Sequence, residues 1–475
     1  MRRLPRGPLI AIIAGLGVVA ASFASHAPSR ASAANVDTGV WGTPFTPPNA
    51  ITAVHMALLN NGKVLMFGEE GVTAIWDPVS NTTVRINNPG PIFCGGHTIL
   101  PDGRIFSAGG RTVGIHGPPI TAIFDPKTNT WTKGPDMAAG RYYPTATLTA
   151  NSKVFITGGS DENAQPNATS ELYTPGVPPS TGSLQVVGNH YDNWYPHVYV
   201  LPDTRLAVVS RSEASIINTS SWARTFLPKP QTRAGQKSAV LLPGGPGGSS
   251  KVMIVGGTGA GSLATPTAQV MDFSAANPTW QSLASMPQGR HDMNLVILPD
   301  GTLLGVGGNG KSKDELPQYN TLLYDPAMNT WRTMAAQTLR RAYHSTAILL
   351  PDGRVLSGGD NRPGGGQKKL DIYSPPYLFK GARPTITSAT ASVGNGGTLN
   401  VVTPSAVNRA VLMAPGATTH ANDMHQRMVE LQFTSTANGI SAQVPAAGVA
   451  PPGYYMLFIL NSSGVPSVAS WVHVG

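Results

Sequence analysis

Residues 340–359, RRAYHSTAILLPDGRVLSGG, decide the fold, because one segment holds a strand–turn–strand unit with a Tyr343-His344 pair at its entrance. Ser345 to Leu350 is a short run of strand formers, Pro351-Asp352-Gly353 supplies a turn, Arg354 to Ser357 resumes the strand character, and Gly358-Gly359 ends it. The same unit ends at Gly110, Gly159, Gly257 and Gly308, and weaker copies near Gly68 and Ser210 bring the count to seven. Several copies are followed by an aromatic residue and Asp-Pro, as at Trp76-Asp77-Pro78, Phe124-Asp125-Pro126 and Tyr324-Asp325-Pro326, the last two with Trp131 and Trp331 downstream. These segments read as two further strands per unit.

The Gly-Gly pairs starting at 109, 158, 256, 307 and 358 recur at a period of about 50 residues, with a double-length gap that leaves room for a degenerate copy. A double glycine with a downstream tryptophan at this period is the kelch signature, one four-stranded blade per repeat. The expected fold is therefore all-β: a seven-bladed kelch-type β-propeller over 51–381. From 382 to 475 the period stops and alternating segments such as 398–402, 409–413 and 454–460 predict an immunoglobulin-like β-sandwich. Residues 34–50 form a short N-terminal lead-in.

Composition agrees. The chain has 475 residues, 54 Gly, 42 Pro and 12% charged residues, which suits a turn-rich β protein. Residues 1–33 read as a signal peptide: Arg2, Arg3 and Arg6, an apolar run from Leu9 to Ala21, and Ala31-Ser32-Ala33 as a cleavage site. The expectation is a secreted protein, with an uncleaved anchor as the alternative. Loss of Arg2, Arg3, Arg6 and Arg30 with no acidic residue lowers the net charge from +9 to +5, and no Lys/Arg run interleaved with aromatics follows, so nucleic acid is not an expected partner. Cys94 is the single cysteine, so no intramolecular disulfide can form.

Aligned on their hairpin turns, the seven repeats place Ala53, Cys94, Tyr143, Tyr195, Gln236, Asp292 and His344 at the start of the first strand. In a propeller that strand lines the axis, and closure brings the last blade beside the first. Cys94, Tyr143, Tyr343 and His344 therefore converge. Taken singly, a lone cysteine is commonly a small buried hydrophobe, and a tyrosine or histidine in a strand commonly packs. Together they supply N, O and S donors that suit a redox metal.

PheCysGlyGlyHis (93–97), ArgTyrTyrProThr (141–145), AsnTrpTyrProHis (193–197), AlaTyrHisSerThr (342–346), ThrThrHisAlaAsnAspMetHisGlnArg (418–427) and ProProGlyTyrTyrMetLeu (451–457) resemble the galactose oxidase and glyoxal oxidase family of copper radical oxidases. The resemblance covers almost the whole mature chain. It implies one copper ion held by Tyr143, Tyr343, His344 and His420, and a thioether joining Cys94 to Tyr143 as a protein-derived radical cofactor, with no organic cofactor. Aligning the Gln426-Arg427 pair selects His420 rather than His425. Tyr195, Gln426 and Arg427 are expected around the ligands.

The implied reaction is a two-electron oxidation of a small aldehyde or primary alcohol by dioxygen, giving hydrogen peroxide. Tyr343 would be the general base and the Tyr143 radical would abstract hydrogen. In galactose oxidase a tryptophan follows Gly-Gly-Ser after the modified tyrosine's hairpin, whereas here Gly158-Gly159-Ser160 is followed by Asp161-Glu162-Asn163. Trp194 is one replacement candidate, although its context reads as strand-start packing. That departure, and the lack of room for a carbohydrate-binding domain before the first blade, favour small aldehydes of the glyoxal, methylglyoxal or glycolaldehyde type over galactose or a glycan end. A monomer is expected. Two other classes stay open: a non-catalytic kelch module that binds glycan or cell wall, and a hydrolase, disfavoured because Asp292 alone is acidic on the axial ring.

Overall fold

The computed structural model describes residues 33–211, 213–230, 237–259, 262–311, 315–360 and 367–475. The expected leader, all but its last residue, and Gln236 lie outside the described residues. The repeat folds as its turn chemistry dictates. In Pro351-Asp352-Gly353-Arg354 the Asp352 carboxylate accepts the Arg354 backbone N–H at 3.0 Å, and Asp102 does the same for Arg104 at 3.1 Å. The turn joins Ser345–Leu349 to Val355–Gly359 in an antiparallel pair.

Among the described residues seven sheets are built this way, six with four antiparallel strands and the first with six, two of them added by Ala417–Thr419 and Asn422–Asp423. Their inner strands are His55–Leu58, Gly96–Ile99, Thr145–Leu148, His197–Val200, Ser238–Leu241, Asn294–Ile297 and Ser345–Leu349. These strands are neighbours around a ring, and Ala417–Thr419 stands between the first and second and touches both. The seventh meets the first where the Thr346 hydroxyl donates to the Ala53 carbonyl at 2.9 Å. The double glycines let sheet ends pass under their neighbours. A Cβ on Gly109 would lie 2.2 Å from the Arg141 carbonyl oxygen, and one on Gly359 2.3 Å from that of His344, both at positive φ.

The seventh sheet takes its outermost strand from the opposite end of the chain: Val40 pairs with Ser374 and Trp41 with Tyr373. The segment expected as a mere lead-in thus fastens the ring shut. After Asp371–Ser374 the chain turns away through the 3₁₀ segment Pro376–Phe379, so it has no fourth strand of its own to offer there.

The C-terminal segment forms one four-stranded and one five-stranded sheet. Strand Gly453–Leu460 explains how it is held. Tyr455, Leu457 and Ile459 face the core between these two sheets, while Met456, Phe458 and Leu460 join a core with residues of the ring, including Val306 and Ile348. A strand covered on both faces reads as a continuous apolar run rather than an alternation. No helix among the described residues is long and apolar enough to cross a membrane.

Candidate metal and radical centre

The ring positions share a backbone feature. Cys94, Tyr143, Tyr195, Asp292 and His344 all have φ between 46° and 68°, the left-handed region that non-glycine residues rarely enter. Such a residue costs about 1–3 kcal/mol and persists where the surroundings over-determine it. Buried arginines supply part of that restraint. Arg141, Arg290 and Arg341 donate to the carbonyls of Gly158 (2.9 Å), Gly307 (2.7 Å) and Gly359 (3.2 Å), tying each entrance segment to its own sheet. Arg141 pairs with Glu171 at 3.1 Å and Arg341 with Asp371 at 2.8 Å, all four side chains being buried.

The remaining element comes from the C-terminal segment. Ala417–Thr419 leaves its own sheets, pairs antiparallel with His55–Leu58, and returns through Asn422–Asp423. The two residues of the turn, His420 and Ala421, have φ of 50° and 59°. This is the type I′ pattern that ordinarily selects Asn-Gly. Here it holds a histidine at the tip of a hairpin laid along the ring axis.

Cys94, Tyr143, Tyr343, His344 and His420 come together. His420 Nε2 lies 3.1 Å from the Tyr143 hydroxyl and 3.9 Å from Cys94 Sγ, and the Tyr143 and Tyr343 hydroxyls are in direct contact. The His344 and His420 rings are 4.3 Å apart, and the ligand atoms of Cys94, His344 and His420 all lie within 4.8 Å of one another. The His420 tautomer follows from its partners. Thr419 Oγ1 donates its proton to the Val54 carbonyl (2.9 Å), so it accepts from His420 Nδ1–H (2.6 Å), leaving the Nε2 lone pair directed at the cluster.

Electrostatics suit a cation. Burial, then the neighbouring His344, His55 and His97, hold the His420 imidazole well below its ordinary pKa, so it is neutral. Burial foremost pushes the Tyr143 and Tyr343 phenols and the Cys94 thiol well above theirs. A neutral imidazole at His420 and two phenols held protonated by burial form a site where a divalent ion would stabilise phenolate.

Tyr143 is stacked between Tyr142 (3.9 Å) and Tyr195 (4.5 Å), and Trp194 stands edge-on to it at 5.9 Å. The Trp194 indole N–H donates to Ser160 Oγ at 2.8 Å. The tryptophan read as strand-start packing therefore packs against the Tyr142–Tyr143 pair, anchored on the serine of Gly158-Gly159-Ser160. A cavity of about 210 Å³ opens beside Tyr143, Tyr343, His420 and Trp194.

Gln426 and Arg427 depart from expectation. Gln426 bonds the Leu295 carbonyl (2.7 Å) and the Ile297 amide (3.0 Å), and Arg427 donates to the Val200 carbonyl (2.6 Å). Both fasten the C-terminal segment to strands of the ring, and no hydrogen bond among the described residues links them to the cluster. His425 also stays apart, bonded to Thr98 Oγ1 at 3.2 Å.

Sequence reasoning missed His55 and assigned His97 no role. His55 Nε2 accepts the Cys94 amide proton at 3.0 Å, so Nδ1–H donates to His97 Nδ1 (3.4 Å), and His97 Nε2–H donates to the Met56 carbonyl (3.4 Å). This relay clamps Cys94 from behind. Its signal was the histidine closing PheCysGlyGlyHis and another two residues after Ala53. Tyr142 was signalled only by the Tyr-Tyr doublet, and the three arginines by their recurrence before the entrance position.

The family model described as "Glyoxal oxidase N-terminus" matches residues 72–368, and that described as "Galactose oxidase-like, Early set domain" matches 383–474. The chain is 28% identical to a galactose oxidase of Gibberella zeae, over 92% of this chain and 70% of that protein. It is 29% identical to aldehyde oxidase GLOX of Vitis pseudoreticulata, over 80% of this chain and 82% of that one. A solved structure described as a "novel fungal alcohol oxidase with catalytic diversity among the AA5 family, in complex with copper" matches with a TM-score of 0.82 at 24% identity, over 92% of this chain and all of that one.

Proposed function

Because the chain belongs to the glyoxal oxidase and galactose oxidase family of copper radical oxidases, we propose that it is a secreted oxidase that turns small aldehydes or primary alcohols and dioxygen into oxidised product and hydrogen peroxide. The observation that carries this reading is the convergence of Tyr143, Tyr343, His344 and His420 with Cys94 at one end of the ring axis.

That donor set fits copper. Imidazole nitrogen and phenolate oxygen suit tetragonal Cu(II), and Tyr143, Tyr343, His344 and His420 would hold it. Bound there, copper would supply one-electron redox capacity, and a Tyr143 radical, with a thioether to Cys94, would supply a second one-electron equivalent. The residues do the rest. Tyr343, in contact with the Tyr143 hydroxyl, takes the substrate hydroxyl proton, and the Tyr143 ring takes a hydrogen atom from carbon. Tyr142, Tyr195 and Trp194 shield that ring from water. An aldehyde enters as its hydrate: RCH(OH)₂ + O₂ gives RCOOH + H₂O₂.

A seven-bladed propeller over about 51–381 and an immunoglobulin-like sandwich over 382–475 accompany this reading, supported by the seven sheets and by the two family models. Export after cleavage near residue 33 and a monomeric state belong to the same proposal. The cavity of about 210 Å³ beside the centre gives a substrate a place to enter. A peroxide-coupled assay of copper-loaded protein across glyoxal, methylglyoxal, glycolaldehyde, simple alcohols and galactose tests it. A galactose kcat/KM above that of every small aldehyde overturns the aldehyde assignment, and no turnover of any substrate overturns the oxidase.

A further inference from the structure

The cavity beside Tyr143 is also lined by Ser210, Arg211 and Lys237, which the proposed chemistry does not use. Lys237 is only 6% exposed, and its ammonium makes a single hydrogen bond, 3.4 Å to the Arg211 carbonyl. No carboxylate among the described residues pairs with it. Burial alone pulls its pKa down to about 8, so it still carries charge at neutral pH. The buried Ser210 hydroxyl also lacks a hydrogen-bond partner among the described residues. The Arg211 guanidinium lies 5.1 Å from the Trp194 ring centre, on the tryptophan that stands edge-on to Tyr143. Asp292 lines the same cavity but acts on Tyr343, whose pKa it helps to raise, and has no such effect on Lys237.

A buried cation without a counter-ion is costly, and a buried ammonium with one long hydrogen bond, an unpartnered hydroxyl and a guanidinium lining the same pocket are groups that an incoming anion would satisfy. Resting on the oxidase reading of the neighbouring centre, we propose that Ser210, Arg211 and Lys237 form a carboxylate subsite, so that the preferred substrates are short aldehydes bearing a carboxylate at the other end. One indole separates Arg211 from Tyr143, a span that suits a chain of a few carbons. The reaction is ⁻OOC–(CH₂)n–CH(OH)₂ + O₂ → ⁻OOC–(CH₂)n–COOH + H₂O₂. The aldehyde carbon loses two electrons, and dioxygen gains them with two protons.

The test uses the full chain loaded with copper and compares succinic and glutaric semialdehydes with butanal and pentanal. Wild type is expected to favour the carboxylate-bearing members, and Lys237→Met to lower the charged-to-neutral kcat/KM ratio by about tenfold or more, chiefly through KM, with Lys237→Arg retaining it. Calorimetry of succinate with the metal-free protein supplies a readout independent of turnover, with binding expected in wild type and about tenfold weaker in Lys237→Met. Equal kcat/KM for charged and neutral aldehydes, or a ratio unchanged by Lys237→Met, overturns the subsite while leaving the oxidase intact. Succinate binding that depends on Lys237, without any aldehyde turnover, supports the subsite and overturns the oxidase reading. Absence of both binding and turnover overturns the two together.

Discussion

His420 Nε2 lies 3.1 Å from the Tyr143 hydroxyl, although the two residues are 277 positions apart and belong to different sheets. The hairpin that carries His420 joins the inner edge of the first sheet, so the C-terminal segment completes the centre instead of merely flanking it.

The hydrogen bond from His420 Nδ1–H to Thr419 Oγ1 fixes which nitrogen faces the cluster. Thr419→Val keeps the shape and removes the acceptor. Copper affinity is expected to fall by about 10–100-fold, read by competition with a calibrated chelator. An unchanged affinity would mean that the tautomer is set by something else.

Tyr143→Phe and Tyr343→Phe separate the two phenols. On the proposed mechanism Tyr143→Phe removes the hydroxyl that would carry the radical, so peroxide production is expected to fall by more than about 10³-fold. Tyr343→Phe is expected to lose the base, by about 10²–10⁴-fold, with the Cys94–Tyr143 bond still formed. Comparable turnover in either variant contradicts the assigned roles.

The buried Arg341–Asp371 pair, at 2.8 Å, anchors the entrance segment that carries Tyr343 and His344. Asp371→Ala strands the arginine, and removing one partner of a buried pair costs about 3–5 kcal/mol. Denaturant unfolding of the metal-free protein measures this, and a loss under about 1 kcal/mol would mean that the guanidinium is satisfied by its carbonyl partners alone.

How much of this was legible depended on the range of the signal. Repeat spacing was enough to bring Cys94, Tyr143, Tyr343 and His344 to one ring, because ring closure follows from counting strands. His420 was legible only through family likeness, since nothing local says that 417–423 leaves its own sheets to pair with His55–Leu58. Trp194 was legible as a packing residue, but not its place against Tyr142 and Tyr143, because its Ser160 partner is 34 residues away. Gln426 and Arg427 misled because proximity in sequence to a ligand does not carry across a strand that turns back into its own sheet.

Acid should weaken the metal-free fold through its buried imidazoles. Burial pulls the pKa of His97 and of His197 down to about 4. Each titrates near about 6.5 in the unfolded chain, so between these values only the unfolded state takes up the proton. Stability therefore falls as pH falls through that window, by up to about 1.4 kcal/mol per pH unit for each group, and these groups add no slope above about pH 7. Unfolding midpoints that stay flat across the window would contradict the neutral assignment.

Peptide mapping of the full chain after exposure to copper and oxygen tests the central claim most directly. Cys94 and Tyr143 pack in one buried cluster. The account predicts one linked peptide spanning both residues, lighter by two hydrogens than its parts, with no thiol left to titrate. A full equivalent of free Cys94 thiol in the copper-loaded, oxygen-treated protein would contradict it.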